Sequence, residues 1–537
     1  MSSSKIEDPS ALNTVVVGSG LSALGAIRAL VREGVRPTVI DVGERLEPDL
    51  EKRAACLAKV APDQWTVSDR KWLNSNPTVE SGSGIPKKRV FGSDYFYGNS
   101  RKEALLQATG NTPPFSYALG GLSAGWGAAI LPPHADDLGD WPVSARELNG
   151  YCEIVLRDLP YSAVDDGLST DFDLLSNNPV PVRLSRAGKT FLSWLAAKAG
   201  IEKGKFGFGQ ARLLVNGRNA GEESECRYCG QCSSGCAYGA IYKAGYEIES
   251  LHREGKIDYL PGRLVDRVEE DGDGASIFLR ESGGGITQMR FHRIFLAAGA
   301  VNSTRIVMKS LRMFDHLLDL KTRGGFVLPV LSLRGLPRDW PDCNTQPEIF
   351  LEFRGENQHW VHAQVALENE LFIQKLVGGG PRNAIVSRLR KFLLKHLFII
   401  LVNYHSDHSG TYEVRLRPGT ESQGGDCLHS HHKKALPQCR VLYSSAVILL
   451  RNLLKVACVP LFPFAKPNSG SYHVGGTLPM KTIPREWNET DVLGRPGGWK
   501  RIHVVDTAIF PSLPGTTVGL LTMANAYRIA EKSLQAC

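Results

Sequence analysis

Near its start the chain alternates sharply between short apolar runs and glycine turns. Thr14–Val17 is an unbroken apolar, β-branched run that reads as a buried strand. Gly18–Gly20 follows as a turn, Leu21–Arg32 as a helix with small residues along one side, and Pro37–Asp41 as a second strand. Further on, Val265–Arg280 reads as a hairpin about the turn signal Asp271–Gly274, and Arg293–Leu296 as another buried strand. Two longer apolar stretches, Phe392–Val402 and Ala446–Phe464, stand out. The first is too short to span a bilayer, and Arg451 and Lys455 interrupt the second, so both are read as core helices ahead of a membrane-surface role. The chain has an alternating β/α opening, a β-rich middle and a compact α/β ending. That order implies one nucleotide-binding unit interleaved with a second unit lying across it. No internal repeat is evident.

Composition narrows this only a little. The 537 residues are 42% hydrophobic and 22% charged, ordinary values for a globular chain, and the net charge of +8 is spread thinly. The basic stretch Arg382–Lys395 and the group His429, His431, His432, Lys433 and Lys434 read as solvated surface, so no nucleic-acid partner is expected. The opening MSSSKIEDPSALN lacks the basic-then-apolar design of a signal peptide, which points to a cytoplasmic protein. Eleven cysteines in that setting imply free thiols or metal ligands rather than a disulfide framework.

The first motif with chemistry in it is Gly18-Ser19-Gly20-Leu21-Ser22-Ala23. Gly18 permits the tight turn, Gly20 lets backbone approach a pyrophosphate, and Ala23 keeps helix close to sheet. Leu21 and Ser22 open the helix, whose free N–H groups and positive dipole end face the phosphates. Asp41 ends the second strand, where a carboxylate accepts hydrogen bonds from ribose hydroxyls. Strand before, helix after and acid on cue identify a dinucleotide site but do not separate FAD from NAD.

Three further segments resemble the glucose–methanol–choline (GMC) family of flavoprotein oxidoreductases. Ala118-Leu-Gly-Gly-Leu-Ser-Ala-Gly-Trp-Gly127 resembles that family's second glycine-rich loop, and Asp140-Trp-Pro142 follows it. The resemblance places Gly120, Gly121, Ser123, Trp126 and Gly127 along the flavin. Phe295-Leu-Ala-Ala-Gly-Ala-Val-Asn302, with Ala298 and Gly299, is similar to the turn near the adenosine half. Tyr472-His473-Val-Gly-Gly-Thr-Leu-Pro-Met480 resembles the active-site histidine stretch. Val504–Pro511, with Asp506, resembles the segment capping the isoalloxazine, and Thr522–Arg528 the final helix. The resemblance implies an α/β fold in which a Rossmann-type FAD-binding domain (1–145, 206–310 and 466–537) is interleaved with an α+β substrate-binding domain (146–205 and 311–465). It also implies FAD as cofactor and oxidation of a CH–OH group by hydride transfer to flavin N5, with His473 as base. A histidine suits that task because its unperturbed pKa lies near working pH. The family's second catalytic position, usually His or Asn, falls here on Thr517, or on Thr516 if the count shifts by one. Thr517 and Val518 are also assigned to the cofactor. Threonine cannot act as a base near neutral pH, which leaves His473 alone in that role.

Cys226, Cys229, Cys232 and Cys236 match the spacing of a ferredoxin-type iron–sulfur run, with Ala237 where that motif has proline. A 4Fe-4S or 3Fe-4S cluster is the first reading, zinc the second, and reduced packing cysteines the third. Some GMC branches carry a similar cysteine segment. A cluster beside the flavin favours a dehydrogenase passing electrons to a carrier, and its absence favours an oxidase using oxygen. For the substrate, a sugar, amino sugar or glycoside hydroxyl comes first and a long-chain or sterol-like alcohol second. The outlying reading is a non-catalytic flavin- or metal-binding partner, against which His473 stands. His405 and His408 are left without a role.

Overall fold

The computed structural model describes residues 13–74, 88–98, 105–217, 224–280, 285–355, 358–368, 392–393, 395–419, 425–433, 439–467 and 472–535. Residues 1–12 and most of the basic stretch Arg382–Lys395 lie outside them.

Short β-branched runs such as Thr14–Val17 have no polar face, so they are stable only with both faces covered. They assemble into a five-stranded parallel sheet in the order Ile502–Val504, Arg293–Leu296, Thr14–Val17, Thr38–Ile40, Asp258–Leu260. The two ends of the chain therefore share one sheet. The helix Leu21–Arg32 follows the first turn and packs against the C-terminal helix Gly519–Gln535. Gly25 sets that approach, because a Cβ there would stand 2.2 Å from the carbonyl oxygen of Met523. Beside this layer, Leu264–Asp271, Gly274–Arg280 and Ile286–Phe291 form an antiparallel meander whose first turn is the Asp271–Gly274 signal.

The second unit is built on antiparallel pairing. Its main sheet runs Cys458–Pro460, Gly325–Ser332, Leu397–Asn403, Val361–Ala366, Ile349–Phe353, Phe206–Gln210, with Lys466–Pro467 also paired to Gly325–Ser332. Phe206–Gln210, grouped with the nucleotide segments on sequence, is thus paired into this sheet. A smaller sheet joins Val474–Gly475, Leu318–Thr322, Thr411–Arg417, Cys427–Lys433 and Leu106–Thr109. Val474–Gly475 lies just after His473, so this pairing ties the histidine segment to the second unit.

Two helix expectations need correction. Leu397–Asn403, within the apolar stretch Phe392–Val402, is a strand. It sits inside the sheet with both faces covered, so its side chains are apolar without alternation, a pattern that periodicity cannot distinguish from a buried helix. In Ala446–Phe464 only the first half is helical. Cys439–Lys455 forms the helix, Cys458–Pro460 an edge strand, and Phe462–Phe464 a single helical turn. Among the described residues no helix is long and apolar enough to cross a membrane. His431 is exposed and His429 and His432 half-buried, in keeping with a solvated strand face.

The helix contact at Gly25 yields a direct test. Gly25→Ala should destabilise the protein by about 1–3 kcal/mol, the scale for overpacking a close backbone approach, read as a lowered midpoint in urea unfolding.

Candidate active site

At the carboxyl edge of the parallel sheet the first turn meets the second glycine loop. Gly18 adopts φ +105°, and a Cβ there would lie 2.5 Å from the carbonyl oxygen of Ala297, so only glycine fits. Gly121, at φ +58°, faces Gly20, its Cβ position 3.2 Å from the Gly20 Cα. Between and beyond them lies a cavity of about 480 Å³. Of the sequence-predicted positions, Gly18, Gly20, Leu21, Ser22, Asp41, Gly121, Ser123, Trp126, Gly127, Ala298, Gly299, His473, Asp506, Thr517 and Val518 all line it. Ala23 lies behind the wall, fully buried in the helix. Gly120 has a supporting place: its φ is +85°, and a Cβ would meet the Gly245 nitrogen at 2.7 Å. This backbone-lined cradle, which side chains on the glycines would fill, fits the pyrophosphate of a dinucleotide.

Ser19, an unspecified position of the motif, joins the two loops. Its hydroxyl donates to the Asp41 carboxylate and accepts the Gly120 N–H at 2.9 Å. Tyr259 donates to the same carboxylate at 3.3 Å. Burial pushes Asp41 up to about 6, with the bonds from Ser19 and Tyr259 acting against it. Nothing in the linear motif marks either residue, because both act across strands.

His473 lines the same cavity. The Arg323 N–H donates to the His473 carbonyl at 3.2 Å, and Thr507 Oγ1 donates to the Val474 carbonyl at 2.7 Å, so the histidine segment is held on both sides. Burial, then the Arg323 charge and His362, hold the His473 imidazole well below the usual histidine value, so it is neutral near pH 7. Arg323 is buried, and its Nη1 donates to the carbonyls of Gly515 at 3.0 Å and Thr516 at 2.6 Å. Burial pushes its pKa down to about 9. Thr517 lines the cavity, and its Oγ1 accepts the Leu131 N–H at 2.8 Å, while Thr516 is fully buried beside it. Asp506 accepts the Gly299 N–H at 2.9 Å, the Ser303 hydroxyl at 2.5 Å and the Ala508 N–H at 2.9 Å. It thereby ties the C-terminal capping segment to the adenosine-side turn. Arg323, His362, Gln364 and Asn403 were not legible in the sequence. They lie in strands and loops far from the motifs and reach the site only through the sheet.

The cysteine run lies close to Lys88, which lines the cavity and donates to the Trp126 carbonyl. Asn344 Nδ2 donates to Cys226 Sγ at 3.5 Å, and the Thr345 N–H to Cys232 Sγ at 3.4 Å. Burial and the neighbouring sulfurs push Cys226 up to about 12 and raise Cys229 and Cys232. Tetrahedral zinc with bonds near 2.3 Å needs sulfurs about 3.8 Å apart. No three of these sulfurs lie within 4.8 Å of one another, so the run is not gathered as a zinc site. Among the described residues the one group meeting that distance is His359, His405 and Asp407. Both His405 nitrogens are already engaged, Nδ1 by the Asp407 N–H at 3.2 Å and Nε2 by the Asp137 carbonyl at 3.2 Å. His405 also stacks on His359 at 3.7 Å, so it is accounted for as structure.

Asp41 and Asp506 make pH part of the site's stability. Both are raised to about 6 by burial. A carboxyl whose folded pKa lies above its unfolded one favours folding while protonated, and that contribution is lost as pH rises from about 4 through about 6. In cofactor-free protein, Asp41→Asn should remove up to about 3 kcal/mol of this loss, seen as a flatter stability curve in urea unfolding between pH 4.5 and 7.

No protein-family model matches the chain, and no curated protein sequence matches it. Among solved structures it superposes on pyridoxine 4-oxidase from Mesorbium loti with a TM-score of 0.56 and 14% sequence identity, covering 97% of this chain and 99% of that one. The likeness extends over nearly both whole chains, and what it establishes is the fold: a mixed α/β architecture with a parallel sheet, shared with that protein.

Proposed function

We propose that this chain is an FAD-dependent oxidoreductase that oxidises a CH–OH group to a carbonyl. The observation that carries this reading is a single cavity lined both by the dinucleotide turn with Asp41 and by a neutral, half-buried His473. Bound FAD would supply the two-electron acceptor that receives the substrate's hydride at N5. Gly18, Gly20 and Gly121 would hold the pyrophosphate against backbone, Asp41 the ribose, and Trp126, Asp506 and Val518 the remaining walls. His473 accepts the hydroxyl proton, and its suppressed basicity keeps it unprotonated before substrate arrives. Thr517 orients the reacting group with its hydroxyl proton while its oxygen accepts from Leu131.

A sugar, amino sugar or glycoside is the first substrate class, with electrons passed to a carrier, through an iron–sulfur cluster at Cys226–Cys236 if one assembles there. The second reading is an oxidase using oxygen on a long-chain or sterol-like alcohol. The acceptor in that reading draws support from the neighbour, which is named an oxidase. Peroxide yield separates the two. A yield near one per product marks oxygen as acceptor, whereas a yield under about one-tenth with rapid quinone or dye reduction marks a dehydrogenase. Iron and sulfide analysis of anaerobically purified protein tests the cluster independently.

His473→Ala should retain bound flavin and lower the rate of anaerobic flavin reduction by at least about 100-fold, the scale of a lost base. Reduction at the original rate refutes the assignment. Because His473 titrates well below 6.5, the rate of flavin reduction should stay level as pH falls from 8 to 6.5. Arg323→Met should move the acid limb up toward 6.5, since it removes the charge that suppresses protonation.

A further inference from the structure

In the main antiparallel sheet a row of polar side chains crosses three strands built mostly from apolar residues. Glu352 pairs in register with His362, and His362 with Asn403, on three adjacent strands. Glu352 and His362 are both fully buried among Phe350, Leu351 and Phe353. Complete burial of a carboxyl and an imidazole is costly unless each satisfies the other. Here Glu352 Oε1 lies 2.5 Å from His362 Nδ1, and His362 Nε2 lies 3.0 Å from Gln364 Nε2. Both ring nitrogens of His362 are thus engaged, one by the Glu352 carboxyl and the other by the Gln364 amide. One end of the Gln364 amide is thereby committed to His362, and the other is left for the cavity. Gln364 lines the same cavity as His473, Arg323 and Asn403. Core packing alone explains none of this, since an apolar residue at each position satisfies the sheet equally well.

We propose that Gln364, positioned by His362 and Glu352, forms a specificity subsite that hydrogen-bonds a second hydroxyl of the substrate close to the one His473 deprotonates. The inference rests on the reading of the chain as an alcohol oxidoreductase and selects within it. The favoured class is polyhydroxy alcohols, including sugars and glycosides. Alcohols with a single hydroxyl on an apolar skeleton leave the amide unpaired in a closed site, and a buried polar group built to bind a hydroxyl rejects the analogue lacking it far more strongly than an apolar pocket rejects an added one. Gln364 would touch substrate, whereas His362 and Glu352 act through it.

The test compares anaerobic flavin reduction by glycerol and methyl glucopyranoside with reduction by propan-1-ol and a monodeoxy glucopyranoside. In the wild-type holoenzyme the hydroxylated member of each pair should be favoured by at least about 100-fold in kcat/KM. Gln364→Leu, with flavin still bound, should bring that ratio to within about threefold of unity. Glu352→Leu should lower the ratio as well, and Glu352→Gln, which keeps a hydrogen-bonding partner for His362 Nδ1, should restore most of it. In His473→Ala, binding of methyl glucopyranoside, followed by perturbation of the flavin spectrum, should weaken at least about tenfold when Gln364→Leu is added. Equal ratios in wild type and Gln364→Leu overturn the subsite while leaving alcohol oxidation intact. Failure of every alcohol to reduce the flavin overturns the broader reading and the subsite with it.

Discussion

The site depends on parallel pairing at the centre of one small sheet. Thr14–Val17 is hydrogen-bonded between Thr38–Ile40 and Arg293–Leu296, and Ile502–Val504 adds beyond them. Parallel strands all end at the same edge, so Gly18, Asp41, Ala297 to Gly299 and Asp506 arrive together from four distant parts of the chain. Backbone contact then leaves no room for substitution, since a side chain at Gly18 would press on Ala297 and one at Gly25 on Met523. Asp506 closes the rim by bonding Gly299 and Ser303. The C-terminal segment is held in place by the same charge that caps a neighbouring helix.

The electrostatics of the cavity follow from burial. Lys88, Arg305 and Arg323 all line it, and burial lowers the pKa of each. Arg323 is bonded to two carbonyl oxygens rather than to a carboxylate, which leaves its charge free to act on its surroundings. The nearby imidazole of His473 is the group that answers, by staying neutral. Desolvation and a fixed cation therefore act in the same direction on the imidazole, and both favour its neutral form. The Glu352–His362 pair is the converse case, in which a short bond inside the sheet holds the imidazole that in turn engages Gln364.

Two metal-like patterns turn out differently in three dimensions. The cysteine run has ligand spacing in sequence, yet its sulfurs stand too far apart for one tetrahedral ion, and two of them accept hydrogen bonds from Asn344 and Thr345. His405, unremarkable in sequence, falls in a tight group with His359 and Asp407, and its nitrogens are taken up by local bonds. Spacing along a chain and spacing between donor atoms are separate quantities, and only the second decides what an ion meets.

The amino-acid sequence by itself determined the local devices. The strand–turn–helix at Thr14–Arg32, the acid at Asp41, the hairpin at Asp271–Gly274 and the placement of His473 after the second unit all follow from short-range constraints: β-branched runs, positive-φ glycines and turn chemistry. Tertiary structure decided the rest. Phe392–Val402 reads from sequence as a core helix because a doubly covered strand loses its alternation, and pairing with Gly325–Ser332 and Val361–Ala366 makes Leu397–Asn403 a strand instead. Ser19, Tyr259, Arg323, His362 and Gln364 carry no signal in the chain, since each acts on a partner brought to it from another strand or loop. Long-range hydrogen bonding and burial give those residues their roles, and neither is a property of a linear neighbourhood.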